Sequence, residues 1–268
     1  MEDFSGDTQK PIFITGSVRS GTSIVTRALT HGVGIPGYVE GCFIDFLGGF
    51  IRVTDFNYNR RPGQSKNKKI MLGHIPKDEF KKEVARWFRT QYEKYSIYNG
   101  QWVDKTADKD VAYGLPYAHL AWPNAKFILM KRRPIENVAS RMRKFPHAPF
   151  KAHCLNWAQI NAILIETKKR LPKDVYMEID QYDIATNPTE VARKLGLFLN
   201  LDAAQIQKIE KTFKEDRPEF TGGDETNIKS LEEMGWTADQ QKKFKEICGP
   251  LVDRFGWTLG KQYFKEEN

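Results

Sequence analysis

The stretch Pro11-Ile12-Phe13-Ile14-Thr15-Gly16-Ser17-Val18-Arg19-Ser20-Gly21-Thr22-Ser23-Ile24-Val25-Thr26-Arg27-Ala28-Leu29 decides the fold. Its first five residues form a short apolar run that reads as a buried parallel strand. A glycine-bounded turn follows, then a segment of helical apolar spacing that ends near His31-Gly32. A strand that turns through Gly-x-x-x-x-Gly into a helix aims backbone N–H groups and the positive helix end at one point, where phosphate or sulfate can be held. The spacing alone is weak evidence, since strand-to-helix turns also carry glycines for steric reasons. The Walker A loop shares this spacing but continues Gly-Lys-Ser/Thr, and its lysine reaches the β- and γ-phosphates. Here the chain reads Gly21-Thr22-Ser23, and the cation stands earlier, at Arg19. That displacement disfavours ATP hydrolysis and favours a monoester-like 5′-phosphosulfate.

Outward from this loop, short apolar runs alternate with longer helical segments, the pattern of a parallel sheet with crossover helices. Further strands are expected at Gln101-Trp102-Val103-Asp104-Lys105, at Ala125 to Met130 and at Asp174 to Ile179. Helices are expected from Asp78, as N-cap, to Tyr98, from Asp110 to Trp122 with a break or tilt at Pro116, from Pro134 to Lys144, and from Phe150 to Leu171. Others follow from Asn187-Pro188-Thr189-Glu190 to Leu199, from Ala203 to Phe213 and from Thr237 to Phe255. Residues 35–76, rich in Gly, Pro, Asn and Arg, read as loops with short helices, and long loops are often functional. No internal repeat occurs. The expected fold class is α/β: a P-loop-type central parallel sheet flanked by helices, in a single domain spanning 1–268 with residues 1–10 as a flexible tail.

The 268 residues are 40% hydrophobic, enough for a packed core, and carry a net charge of +8, which favours a polyanionic ligand. Lys and Arg are dispersed among acids, as in Asp78-Glu79-Phe80-Lys81-Lys82-Glu83, so most clusters read as solvated helix faces. Cys42, Cys154 and Cys248 stand far apart with no zinc-ligand spacing, and no metal is expected. The N-terminus lacks a basic-then-apolar leader, and no run of about 18 apolar residues occurs, so a soluble, cytoplasmic chain without a membrane span is expected.

Several segments together resemble the sulfotransferase family that uses 3′-phosphoadenosine 5′-phosphosulfate (PAPS). Phe13 to Ser23 is similar to its 5′-phosphosulfate loop, in the Arg-Ser-Gly-Thr form of tyrosylprotein sulfotransferases and many bacterial members. Phe127-Ile128-Leu129-Met130-Lys131-Arg132-Arg133-Pro134, with Ser140, resembles the strand–Arg-Asp-Pro–helix segment that holds the 3′-phosphate, with Arg133 replacing the usual acidic or amide residue. Trp102-Val103-Asp104-Lys105-Thr106 is similar to the Lys-Thr-Pro segment, with Ala107 in place of proline. Trp122-Pro123-Asn124-Ala125-Lys126-Phe127-Ile128 resembles a Phe-Pro-Asp-Ala-Lys-Phe-Ile run. Gln181 to Pro188 parallels Tyr-Glu-Asp-Leu-x-x-x-Pro without its Tyr and Glu, and Gly249 to Trp257 matches the closing helix. The likeness spans almost the whole chain.

The resemblance implies sulfuryl transfer from PAPS to an acceptor hydroxyl, or an amine, releasing adenosine 3′,5′-bisphosphate. It implies that Ser17, Arg19, Ser20, Gly21, Thr22 and Ser23 surround the 5′-phosphosulfate, and that Arg132 and Ser140 take the 3′-phosphate, for which an arginine fork is suited. Lys105 is the expected contact of the leaving oxygen and Glu40, 21 residues after Arg19, the expected base. His74 is the strongest rival to Glu40 among the five histidines. Trp236 and Phe220-Thr221-Gly222-Gly223 are possible lid elements over adenine, with a core position the simpler reading of Trp236. Loops 35–76 and 143–153, with Arg52, Arg60 and Arg61, are expected to shape the acceptor pocket; small alcohol, glycan, lipid headgroup and tyrosine peptide all stay open. Two other readings are a P-loop kinase with Asp104 as magnesium ligand, and a basic nucleic-acid-binding protein; no aromatic–basic motif of known modules supports the latter.

Overall fold

A computed structural model describes residues 8–216 and 228–266. Strands β1 (Lys10–Gly16), β2 (Gly37–Tyr38), β3 (Gln101–Lys105), β4 (Lys126–Lys131) and β5 (Tyr176–Asp180) form one parallel sheet in the order β2-β3-β1-β4-β5. Lys10 already pairs with β3, so the strand begins inside the stretch expected as a tail. The helices are α1 (Thr22–Arg27), α2 (Ile44–Arg60), α3 (Lys77–Tyr95), α4 (Lys109–Ala121), α5 (Pro134–Lys144), α6 (Phe150–Lys168), α7 (Gln181–Thr186), α8 (Pro188–Phe198), α9 (Ala203–Glu215) and α10 (Ala238–Val252). A π-helical turn, Ala28–Val33, extends α1.

Alternation along β1 builds both faces of the sheet, because successive strand side chains point to opposite sides. Phe13 enters a cluster with α2, α3, α4 and α6, where it meets Trp102, Trp122 and Phe127 at ring distances of 5.5–5.6 Å. Ile12 and Ile14 enter the opposite cluster with Val25, Leu29, Leu195 and Ile209. A third cluster joins α5, α6 and α10 around Trp157, Phe244 and Trp257. Burial on both faces explains why the strands read as unbroken apolar runs.

The expectation of loops with short helices over residues 35–76 holds for the short 3-10 turns at 64–66 and 71–73, but α2 is a long helix, Ile44–Arg60. Ile44, Leu47, Gly48, Ile51 and Thr54 are buried at helical spacing against α4. Gly48 permits this contact: a Cβ there would lie 1.6 Å from the Asp110 carbonyl oxygen. The glycine pair that reads as a helix breaker is thus a close helix–helix approach. Asp78 is not an N-cap either; α3 starts at Lys77 after extended Pro76, and Asp78 and Glu79 sit in the first turn, where negative charge is favourable. α4 runs unbroken through Pro116, the one lost hydrogen bond being outweighed by buried Leu115, Tyr117 and Ala118. No described helix is long and apolar enough to cross a membrane.

Candidate functional site

Strand order places the candidate residues together. After β1 the chain passes to β2 on one side of the sheet, and after β3 it crosses to β4 on the other, so direction reverses around β1. Ligands of open parallel sheets sit at such a reversal, beyond the carboxyl ends of the strands. Ile14 pairs with Lys105 and Gly16 with Met130. The Gly16–Ser23 loop, Lys105 and the Arg132 turn therefore share one edge.

The loop closes on itself through the Ser20 amide, which donates to the Ser17 carbonyl at 3.0 Å. Arg19 and Gly21 take left-handed backbone, φ 73° and 88°. For arginine that conformation costs of order 1–2 kcal/mol, and such strain gathers at functional sites. Arg19 Nε donates to Ser140 Oγ at 3.1 Å, and Arg132 donates through Nη1 to the Arg19 carbonyl at 3.1 Å. Arg19, Arg132 and Ser140, 121 residues apart at the extremes, are thus one cluster. Ser17, Ser20 and Thr22 are buried, and Ser20 Oγ has no hydrogen-bond partner among the described residues. Converging guanidinium groups and an orphan hydroxyl fit a phosphorylated or sulfated ligand.

Asn137, absent from the sequence expectations, holds this loop in shape. Fully buried on α5, it donates through Nδ2 to Ser17 Oγ at 3.0 Å and to the Val18 carbonyl at 3.1 Å. It stands three residues before Ser140, so helical periodicity was the available signal. Arg143, three residues after Ser140, is a further cation: partial burial, then the positive charges of Arg132 and Arg19, lower its pKa. Trp157 Nε1 donates to the Arg132 carbonyl at 3.0 Å, fixing the turn from α6.

On the other side of the loop, Lys105 Nζ hydrogen-bonds Glu40 Oε1. Lys105 is buried while Glu40 is mostly exposed, so the lysine is the fixed member of the pair. The Glu40 segment is tied to the end of β3 by the Gly41 amide, donating to the Lys105 carbonyl at 3.3 Å, and the Cys42 amide, donating to Thr106 Oγ1 at 3.2 Å. Asp104 lies beneath it. Its Oδ1 accepts from Thr106 Oγ1 at 3.1 Å, while buried Oδ2 has no hydrogen-bond partner among the described residues. Burial pushes this carboxyl up to about 7, and the charges of Asp45 and Glu40 add to the rise. A carboxylate so enclosed is badly placed as a magnesium ligand. Among the described residues no group of three His, Cys, Asp or Glu could hold a metal ion.

His74 sits in an exposed turn, its Nε2 2.7 Å from the Lys68 carbonyl, whereas Glu40 meets Lys105. Arg52 is engaged by Asp110 at 2.8 Å, and Arg60 lies over the Phe56 ring. Trp236 packs against Phe150 and Phe244 in the core. Phe220 to Gly223 fall outside the described residues.

Arg133, at the position of the departure from the family pattern, is wholly buried. It donates to both carboxylate oxygens of Glu136 and to the carbonyls of Lys229, Thr258, Gly260 and Gln262. Its amide donates to Tyr263 Oη, which in turn donates to Asp180 Oδ1, while Trp257 Nε1 donates to Asp180 Oδ2. The residue is a clamp between the Arg132 turn and the C-terminal segment.

Residues 11–205 match the family model described as "Sulfotransferase family". The chain belongs to the sulfotransferase family. Solved structures similar to it include the sulfotransferase domain of the Synechococcus PCC 7002 olefin synthase, with 17% identity, TM-score 0.55, and coverage of 91% of this chain and 95% of that one. The sulfotransferase domain of the curacin biosynthetic pathway has 17% identity, TM-score 0.51, and coverage of 94% and 99%. Sulfotransferase STF9 from Mycobacterium avium has 13% identity, TM-score 0.54, and coverage of 96% and 79%. At these identities the likeness is one of fold. No curated protein matches the chain in sequence. Family membership replaces the kinase and nucleic-acid-binding readings.

Proposed function

We propose that this sulfotransferase moves a sulfuryl group from PAPS to an acceptor hydroxyl, or an amine, and releases adenosine 3′,5′-bisphosphate. The observation that carries the reading is the convergence of Arg19, Arg132 and Ser140 on one flank of the glycine loop with the Lys105–Glu40 pair on the other. The first group suits the 3′-phosphate and 5′-phosphosulfate of the donor. The second suits the reacting end.

In the proposed step the acceptor oxygen forms a bond to sulfur as the bond from sulfur to the 5′-phosphate oxygen breaks, with the two oxygens roughly in line. Negative charge grows on the departing phosphate oxygen, and the Lys105 ammonium neutralises it. The acceptor proton passes to Glu40. The Lys105–Glu40 hydrogen bond holds the two groups side by side, so one ammonium and one carboxylate face the same reacting centre. Ser17, Ser20, Thr22 and Ser23 supply hydroxyls around the phosphosulfate, and Gly21 shapes the turn that presents them.

Calorimetry with adenosine 3′,5′-bisphosphate tests the donor assignment. Micromolar binding is expected, with 5′-AMP much weaker; equal binding of the two nucleotides removes the 3′-phosphate role of Arg132 and Ser140. A ³⁵S-labelled donor offered with alcohol, glycan, tyrosine-peptide and lipid-headgroup acceptors identifies the acceptor class.

A further inference from the structure

Helix α2 leaves Phe46, Phe50, Val53 and Phe56 half or more exposed, from 50% at Phe50 to 61% at Phe56. Spacings of four, three and three residues put them on one flank of the helix. Helix α3 lies antiparallel beside it: Asp55 pairs with Lys77 and Lys81, and the Phe50 ring meets exposed Trp87 at 6.5 Å. Phe80, one heptad before Trp87 and also exposed, continues the strip. A contiguous aromatic surface of this kind marks an interaction site.

Charge decides what covers it. The chain leaving α2 carries Arg60, Arg61, Lys66, Lys68 and Lys69 with no acidic residue between them. On α3, Glu79 and Glu83 are paired with Lys82 and Arg86, and exposed Asp78, 3.9 Å from Lys81, is one acid against the five cations of the 60–69 stretch. At the same corner lies an open cavity of about 650 Å³, lined among others by Tyr58, Asn59, Ser65, Lys66, Lys68 and Lys77. Lys68 donates to the Gly73 carbonyl, and Lys77 donates to Asn59 while also pairing with Asp55. An ammonium has three N–H groups, so donors remain for an anion. A two-fold dimer would set this basic stretch against itself, because such an interface joins the same patch on both subunits. Aromatic residues beside clustered cations match instead the physical signature of a surface that lies in an anionic membrane interface.

We propose that the α2–α3 face docks on an anionic phospholipid bilayer, with the aromatic strip entering the boundary between headgroups and acyl chains and the 58–77 cavity receiving a phosphate headgroup. The assignment does not depend on the donor or acceptor of the sulfuryl transfer.

The test is co-sedimentation of the full chain with vesicles of phosphatidylcholine alone and of phosphatidylcholine containing about 30% phosphatidylglycerol, at low and high salt. Binding to the anionic vesicles only, weakened by salt, is expected. The triple variant Phe46→Ser/Phe50→Ser/Phe56→Ser should lose about tenfold or more in partitioning. Lys66→Glu/Lys69→Glu, at exposed positions outside the strip, should lose binding without changing the thermal midpoint. Four results overturn the proposal: equal binding to both vesicles, binding unaffected by either variant, full displacement from vesicles by millimolar inorganic phosphate at constant ionic strength, or a dimer that the phenylalanine variant converts to monomer. The third assigns the cavity to free phosphate and the fourth assigns the strip to a second copy.

Discussion

Replacing Arg133 by methionine should destabilise the fold severely, although no solvent-accessible atom of the side chain is removed. The guanidinium makes two bonds to Glu136 and four to backbone carbonyls, all within one buried site. Methionine fills much of the volume but donates nothing, and it leaves the largely buried Glu136 carboxylate without its counter-ion. Breaking a buried pair from one side costs about 3–5 kcal/mol. The four carbonyls lose one donor each, a smaller term than the unpaired carboxylate because they are neutral. We therefore expect a loss of about 4 kcal/mol, read by urea unfolding, and a fall in thermal midpoint of about 8 °C at roughly 2 °C per kcal/mol for a chain of this size. The double variant Arg133→Met/Glu136→Leu removes both charges and should recover about 1–2 kcal/mol of the loss, the signature of coupling between contacting residues. A single-variant loss below about 1 kcal/mol, or a double variant equal to the sum of the two single ones, would refute the clamp.

Glu40→Gln should lower kcat by about a hundredfold or more while nucleotide affinity stays close to wild type, measured by steady-state kinetics and calorimetry; unchanged turnover moves the base elsewhere. Arg132→Ala should weaken adenosine 3′,5′-bisphosphate by at least about tenfold and leave 5′-AMP unaffected, since hydrogen bonds to charged groups contribute about 1.5–3 kcal/mol. Asp104 has a folded-state pKa raised to about 7, so the native chain holds a proton there that the unfolded chain has released, and its contribution to stability falls as pH rises from the ordinary carboxyl range toward 7. Asp104→Asn removes that slope: relative to wild type it should be more stable at pH 8 than at pH 5 in urea unfolding, and an equal difference at both values would contradict the assignment. Asp180, also raised by burial to about 6, contributes a slope of the same sign to both proteins and cancels in the comparison.

Local sequence determined much of the molecule. The Pro11–Thr15 run, bounded by proline and glycine and followed by a turn and helical spacing, could be little other than a strand entering a loop and a helix, and β1, α1 and α5 lie within a few residues of their expected limits. The family was legible for a related reason: its resemblance is carried by short runs of neighbouring residues, and residues 11–205 match the family model.

Tertiary structure decided what depends on partners distant in the chain. Gly48-Gly49 within Gly-, Asn- and Arg-rich sequence looks like a loop until α4 approaches closely enough to need glycine at 48. Helical spacing from Ser140 gives Asn137 a face but not its partners, and nothing local marks those of Arg133, because hydrogen bonds to Ser17, Val18 and the 258–262 segment join distant parts of the chain. The contact between Glu40 and Lys105 likewise spans 65 residues, and it exists because β2 and β3 are neighbours in the sheet. Residue type and spacing report what a short segment prefers. Which distant segments meet is settled by packing two apolar faces around one sheet, and that packing fixed the clamp and the pairing at the candidate site.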